Sequence, residues 1–187
     1  MPADVLFEKR PDGVGLITLN RPDTLNAMGG MLIPMLGEIL DQCENDREVR
    51  CVAITGAGRG FCAGGDVRGM QARNDGPPGR AERADSNPVA RMVSSLERNT
   101  ELLRGWHDAT SLRLHTMGKP TVALVNGVAV GAGFSVALAC DIRIAAESAR
   151  LGQPEIRLGL IPGGGGTQRL ARLVGPGAAL RLVLSGE

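Results

Sequence analysis

What the sequence has little of narrows its function first. It contains no tyrosine and one tryptophan, and aromatics make up 2% of its 187 residues, which leaves nothing to build a base-stacking platform. The formal net charge is +1, so no broad field draws nucleic acid or an anionic membrane to it. Nucleic acid and membrane are therefore not expected partners. None of the four cysteines (Cys43, Cys51, Cys62, Cys140) forms a CxxC, and neither histidine stands at ligand spacing from them. No metal site is expected, and Cys51 and Cys140, in apolar stretches, read as small core residues. No window approaches the apolar length of a membrane span. The opening MPADVLFEKRPDG carries acidic residues and no apolar h-region, so it is not a secretory signal, and a cytoplasmic location is expected.

What is present is an ordinary globular balance, 43% hydrophobic and 22% charged, at a length suited to one domain. A single domain over 1–187 is expected. Val14 to Asn20 (VGLITLN), Val49 to Thr55 (VRCVAIT), Pro120 to Asn126 (PTVALVN) and Asp141 to Ala145 (DIRIA) read as strands. A helix is predicted from about Gly29 to Asn45, where Met31, Leu32, Met35, Leu36, Ile39 and Leu40 recur at helical spacing. A second fits Val89 to His115, with Trp106 as a packing residue and His107 and His115 as surface or capping residues. A third follows from about Gly133 to Cys140. Strands alternating with helices imply an α/β fold with right-handed crossovers. The interruption at 71–88 (QARNDGPPGRAERADSNP) is polar and aperiodic, and reads as a variable loop.

Three glycine clusters follow or connect the apolar runs: GAGRGFCAGGD (Gly56 to Asp66), GVAVGAG (Gly127 to Gly133) and PGGGGTQ (Pro162 to Gln168). The dinucleotide fingerprint G-x-G-x-x-G fails at its third glycine in the first two, which weakens a nucleotide-dependent oxidoreductase. No cluster ends in GK[ST], and Ser135 is not in a GxSxG elbow. Two such turns suit a different task. A backbone N–H pointing out of each could grip one developing oxyanion, a helix N-terminus adding positive potential beside it. For a single cluster, tight turns and close packing explain glycine equally well.

Together the blocks LNRPDTLNAM, GAGRGFCAGGDV, KPTVALVNGVAVGAG and LACDIRIAAESARLGQPEIRLGLIPGGGGTQRL resemble the enoyl-CoA hydratase/isomerase, or crotonase, superfamily, in the correct order over nearly the whole chain. The resemblance implies a spiral of ββα repeats and an acyl-CoA thioester substrate, with coenzyme A as part of the substrate rather than a separate cofactor. It also implies an enolate held by two backbone N–H groups, which map onto Gly65 and Ala132. Coenzyme A contacts map onto Asp23, Thr24, Leu25, Ala63 and Asp66, with Arg68 placed to meet ribose or phosphate. Many relatives carry a basic residue where Asp23 stands. Assembly as a homotrimer or hexamer is implied when the family's C-terminal helices are present. The chain stops at LVLSGE, where family members continue, so that helical part is expected to be missing and apolar surface to be exposed.

Family hydratases split water with two glutamates. The second maps onto Glu155, in GQPEIRLG; the first maps onto Ser135, which has no useful basicity near neutral pH. One carboxylate suits a proton shuttle from C2 to C4, which converts a 3-enoyl into a 2-enoyl thioester. An isomerase is thus expected ahead of a hydratase. Ser135 could position water or the acyl chain, or bond local backbone near the helix N-terminus. A truncated, non-catalytic acyl-CoA binding or assembly subunit is the alternative from another class. Asp141 reads as a strand-edge or capping residue.

Overall fold

The computed structural model describes residues 3–67 and 104–187. The polar loop predicted at 71–88, Arg68 and the apolar stripe Val89, Met92, Val93, Leu96 and Leu103 lie outside the described residues. Val5–Lys9 (β1) turns back at PDG into Val14–Leu19 (β2), antiparallel, with Val5 opposite Leu19. From β2 onward the pairing is parallel. Cys51–Gly56 (β3), Thr121–Val125 (β5) and Ile142–Ala145 (β7) extend one sheet in the order β1-β2-β3-β5-β7. Gly60–Cys62 (β4), Val128–Val130 (β6) and Arg150–Gly152 (β8) form a second, wholly parallel sheet in the order β4-β6-β8.

Each strand pair after β2 therefore places its first member in the large sheet and its second in the small one. After β6 comes a helix, Ala132–Ala139 (α3), and after β8 a 3-10 turn, Pro154–Leu158, followed by Gly166–Val174 (α4) and Pro176–Ser185 (α5). This is the expected spiral of ββα repeats. The three small-sheet strands run three residues each, too short to show a period of two, and no apolar alternation announces them. β1 was likewise not anticipated from the acidic N-terminal stretch.

The first helix, Leu32–Asn45 (α1), buries Leu32, Ile33, Leu36, Leu40 and Cys43, a stripe at three- and four-residue spacing. It begins later than the predicted Gly29. Gly30 has φ 57, which no helix accommodates, and Met31 is 59% exposed ahead of the first turn instead of lying on the core face. Residues 104–107 are helical and run into a π-helical turn, Asp108–Leu112, and then Arg113–Thr116 (α2). Trp106 packs against the core as expected. His115 is exposed, but His107 is partly buried, its Nδ1 lying 2.8 Å from Ser111 Oγ.

α3 has no polar face: Gly133 to Ala139 are all buried, packed against β4 and β6 of the small sheet, the π-helical turn and α4. Asp141 acts as a cap on the strand pair behind it, since its Oδ2 accepts from Thr121 N (2.8 Å) and Thr121 Oγ1 (2.9 Å). All four cysteines are free thiols; Cys43, Cys62 and Cys140 are buried, whereas Cys51 is only half-buried. Exposed large apolar side chains concentrate late in the chain, from Ile142 (54%) and Ile144 (59%) to Ile161 (82%) and Leu184 (65%). Among the described residues no helix is long and apolar enough to cross a membrane.

Candidate active site

The small sheet is the frame of the site. Its registers set Cys62 opposite Ala129 and Val130 opposite Gly152. The residues immediately beyond the carboxyl ends of β4, β6 and β8 therefore emerge side by side, where open α/β sheets place their ligands. Those residues are Ala63–Gly65, Gly131–Ala132 and Gln153–Glu155.

The first turn is held from outside. Met28 N donates to Gly64 O (2.7 Å), Asp66 N to Met28 O (3.2 Å) and Ala63 N to Leu25 O (2.9 Å). Gly65 forms a parallel bridge with Met28 through its two neighbours. In that pattern the N–H of Gly65 itself points to the other side. The second turn hinges on Gly131, at φ 55 and ψ −127, a conformation open to glycine alone. It leaves Ala132 at the first position of α3, where an N–H has no intrahelical acceptor. Neither Gly65 N–H nor Ala132 N–H has a backbone acceptor among the described residues.

The two turns touch. Gly64, at φ 92, lies so close that a Cβ there would stand 2.9 Å from Val130 O and 3.5 Å from Ala132 N. Any side chain at Gly64 would wedge the two candidate donors apart. The thiol of Cys62, just before the first turn, is pushed up to about 12 by burial, which keeps it protonated and unreactive.

Glu155 sits in the Pro154–Leu158 turn, partly buried. A Cβ on Gly131 would lie 3.4 Å from Glu155 Oε1, so the carboxylate stands over the Gly131–Ala132 turn. Burial pushes the Glu155 carboxyl above its ordinary range, opposed by its own backbone N–H. A carboxylate that is poorly solvated is a better base than one in water.

Ser135 is 1% exposed, and its main-chain N–H donates to Gly131 O at 2.9 Å. Among the described residues its hydroxyl makes no bond to the helix backbone, contrary to the capping expectation; it faces the side-chain amide of Gln153 at 3.5 Å. Gln153 is fully buried. With its nitrogen turned to Glu155, the amide donates to Oε1 at 2.9 Å and Oε2 at 3.1 Å. An ionised carboxylate only accepts, which selects that orientation. Sequence reasoning missed Gln153. Its signal was the position two residues before Glu155, at the end of β8.

The residues mapped to coenzyme A occupy one rim. Asp23 and Thr24 are exposed on a 3-10 turn, Pro22–Thr24, and Leu25 closes it in the left-handed region at φ 51. Asp66 lies close by, paired with Arg21 (3.4 Å), which also reaches Asp4 (3.8 Å) and donates to Ala27 O (2.8 Å). Two further residues shape this rim without having been singled out. Buried Asn26 donates to Ala57 O (3.0 Å) and Gly60 O (2.8 Å) and accepts from Arg21 N (2.8 Å). From the other side Asn126 donates to Gly56 O (2.9 Å) and Gly58 O (3.0 Å). The glycine-rich turn is thus clamped between two asparagines. Among the described residues no three His, Cys, Asp or Glu side chains group to hold a metal.

Known proteins share this arrangement of sequence and fold. The family model described as enoyl-CoA hydratase/isomerase matches residues 9–187. The short-chain-enoyl-CoA hydratase of Clostridium acetobutylicum is 40% identical over 185 residues, covering 98% of this chain and 62% of that protein. The 2,3-dehydroadipyl-CoA hydratase of Escherichia coli is 38% identical over 182 residues, 97% of this chain and 62% of that protein. The crystal structure of an enoyl-CoA hydratase from Bacillus anthracis superposes with a TM-score of 0.80 at 35% identity, over 99% of this chain and 64% of that one. The chain thus spans under two thirds of the length of each of these relatives. With a matching family model over nearly its whole length and the same fold in solved relatives, the chain belongs to the enoyl-CoA hydratase/isomerase family.

Proposed function

We propose that this site stabilises the enolate of an acyl-CoA thioester and isomerises a 3-enoyl to a 2-enoyl thioester. The observation that carries the reading is the carboxylate of Glu155 over the Ala132 turn, with Ser135 rather than a second acid beside it. The thioester carbonyl oxygen accepts from the N–H groups of Gly65 and Ala132. Glu155 removes a proton from C2, and the electron pair of that C–H bond moves into the enolate while the C3–C4 double bond conjugates with it. The same carboxyl then returns the proton to C4, leaving the double bond between C2 and C3. Nothing is consumed, so one acid–base group suffices. Hydration would need a second group to hold and split a water, and a serine hydroxyl titrates far from neutral pH.

Asp23, Thr24, Leu25, Ala63 and Asp66 line the rim proposed to receive coenzyme A. The exposed apolar side chains from Ile142 onward support assembly into a trimer or hexamer. The relatives from Clostridium acetobutylicum and Escherichia coli are named hydratases, and that favours hydration as the second reading. Parallel assays with 3-enoyl-CoA and 2-enoyl-CoA decide between them. Isomerisation that is lost in Glu155→Gln supports the first reading, and rapid hydration of the 2-enoyl thioester overturns it. Coenzyme A thioester binding with no turnover of either substrate would leave a binding subunit.

A further inference from the structure

The buried amide of Gln153 stands between a carboxylate and a hydroxyl, and its two ends are chemically opposite. One end donates and the other accepts. With the nitrogen toward Glu155 it makes two bonds to the carboxylate (2.9 and 3.1 Å) and leaves its oxygen on the Ser135 side. Turned over, the nitrogen lies 3.5 Å from Ser135 Oγ and the oxygen faces Glu155. An ionised carboxylate can pair only with the first orientation, whereas a neutral carboxyl has an O–H that suits the second. A hydroxyl donates or accepts equally well, so Ser135 can partner either end. A carboxylate at that position accepts only, and would hold the amide nitrogen for itself.

We propose that Gln153 and Ser135 form a two-way cradle that supports Glu155 in both of its protonation states, the amide turning over as the proton arrives and leaves. The inference rests on the reading of Glu155 as a shuttling acid–base. Such a shuttle needs an environment that does not trap either form, because the same group is base in the first step and acid in the second. The proton itself passes from C2 to a Glu155 oxygen and on to C4; Gln153 and Ser135 exchange only hydrogen bonds. Gln153 is thus a positioning residue.

The surroundings leave the pair to itself. Gly164 and Gly166 close over the pair, a Cβ at Gly166 standing 2.9 Å from both Ser135 Oγ and the Gln153 amide carbon. The charged groups on neighbouring elements are engaged elsewhere. Arg169, on α4, donates to Gly164 O (2.8 Å) and Ser111 O (3.4 Å). It lowers the affinity of His107 for a proton, as burial does more strongly. Arg157 follows Glu155 in its own turn and lies against Gly186. Neither cation enters the shift of Glu155, which comes from burial and is opposed by its own N–H.

The test is NMR on the whole chain without substrate, beside 3-enoyl-CoA turnover. In the unsubstituted protein the ¹⁵N shift of the Gln153 side-chain amide is expected to move with the same midpoint as the ¹³C shift of the Glu155 carboxyl. Gln153→Met is expected to weaken Glu155 as an acid by about tenfold and to lower kcat about ten- to hundredfold. Ser135→Ala is expected to lower kcat with a smaller change in that midpoint, because the direct amide donor remains. A Gln153 amide that ignores the Glu155 midpoint overturns the cradle, as does a folded Gln153→Met with an unchanged kcat. If the two midpoints coincide but no 3-enoyl-CoA is turned over, the cradle stands and the isomerase reading falls.

Discussion

A backbone donor cannot be deleted by changing a side chain, but position 132 allows an exception. Ala132 is the first residue of α3, so its N–H makes no intrahelical bond, and proline is tolerated at such a position with its φ already helical. The residue before a proline must avoid the α region; Gly131 does so, at ψ −127. Ala132→Pro should therefore remove one N–H and place a ring methylene where it pointed, without breaking the helix. Gly64 lacks a side chain on the facing turn, and this leaves room for the ring: even a Cβ there would stand 3.5 Å from Ala132 N.

The magnitudes separate cleanly. A proline compatible with the native backbone changes stability by about 1 kcal/mol or less, through the unfolded chain. Loss of one preorganised oxyanion donor costs about 10²–10³ in kcat, or about 3–4 kcal/mol of transition-state stabilisation. Ala132→Pro is thus expected to unfold within about 1 kcal/mol of the parent in urea, while its turnover of 3-enoyl-CoA falls by at least about a hundredfold. Ala132→Gly keeps the N–H and is expected to lose less than about tenfold. A folded Ala132→Pro variant with activity within tenfold of the parent would refute Ala132 as a donor, and with it the two-turn oxyanion site.

Gly64→Ala combines left-handed strain at φ 92 with a Cβ 2.9 Å from Val130 O. A loss of about 2–4 kcal/mol by denaturant titration is expected, with a fall in kcat, and an unstrained, active variant would remove the argument for contact between the turns. Asn26→Ala leaves Ala57 O, Gly60 O and Arg21 N short of a buried partner, and about 2–3 kcal/mol should be lost in the same titration. Glu155→Gln tests the electrostatics. The folded-state value of this carboxyl lies above its ordinary 4.5. Its contribution is therefore fullest at low pH and declines as pH rises from the ordinary value through the folded one. The variant should be more stable than the parent above that window, with the difference vanishing below it; a difference independent of pH would contradict burial as the cause.

The larger sheet was legible because its inner strands β2, β3 and β5 are largely apolar runs between glycine or proline signals, and its edge strand β7 reads as one from its isoleucines although their side chains are exposed. β3, β5 and β7 fall within two residues of their predicted limits at either end. The small sheet was not legible, since three residues carry no period and its strands lie inside motifs that read as turns. α4 buries only Gly166 and Leu170, too sparse a stripe to predict from spacing. Within the site, the motifs singled out Gly65, Ala132, Ser135 and Glu155. The partner of Ser135 was hidden because Gln153 is 18 residues away and meets it only through the pairing of β6 with β8.

That pairing explains why the chemistry lies where it does. Parallel strands in register deliver their carboxyl ends to one edge, and three consecutive ββα turns of the spiral each contribute one end. β4 supplies the Gly65 N–H, β6 the Ala132 N–H with α3 behind it, and β8 the Gln153–Glu155 pair. A shift of one residue in the β6–β8 register would carry Glu155 away from Gly131 by a strand step of about 3.3 Å. The positions of the proposed donors and base are thus set by backbone pairing. On the proposed reading the reaction is set by one side chain placed on that frame: a serine at 135 leaves Glu155 to work alone and leaves the Gln153 amide free to serve it.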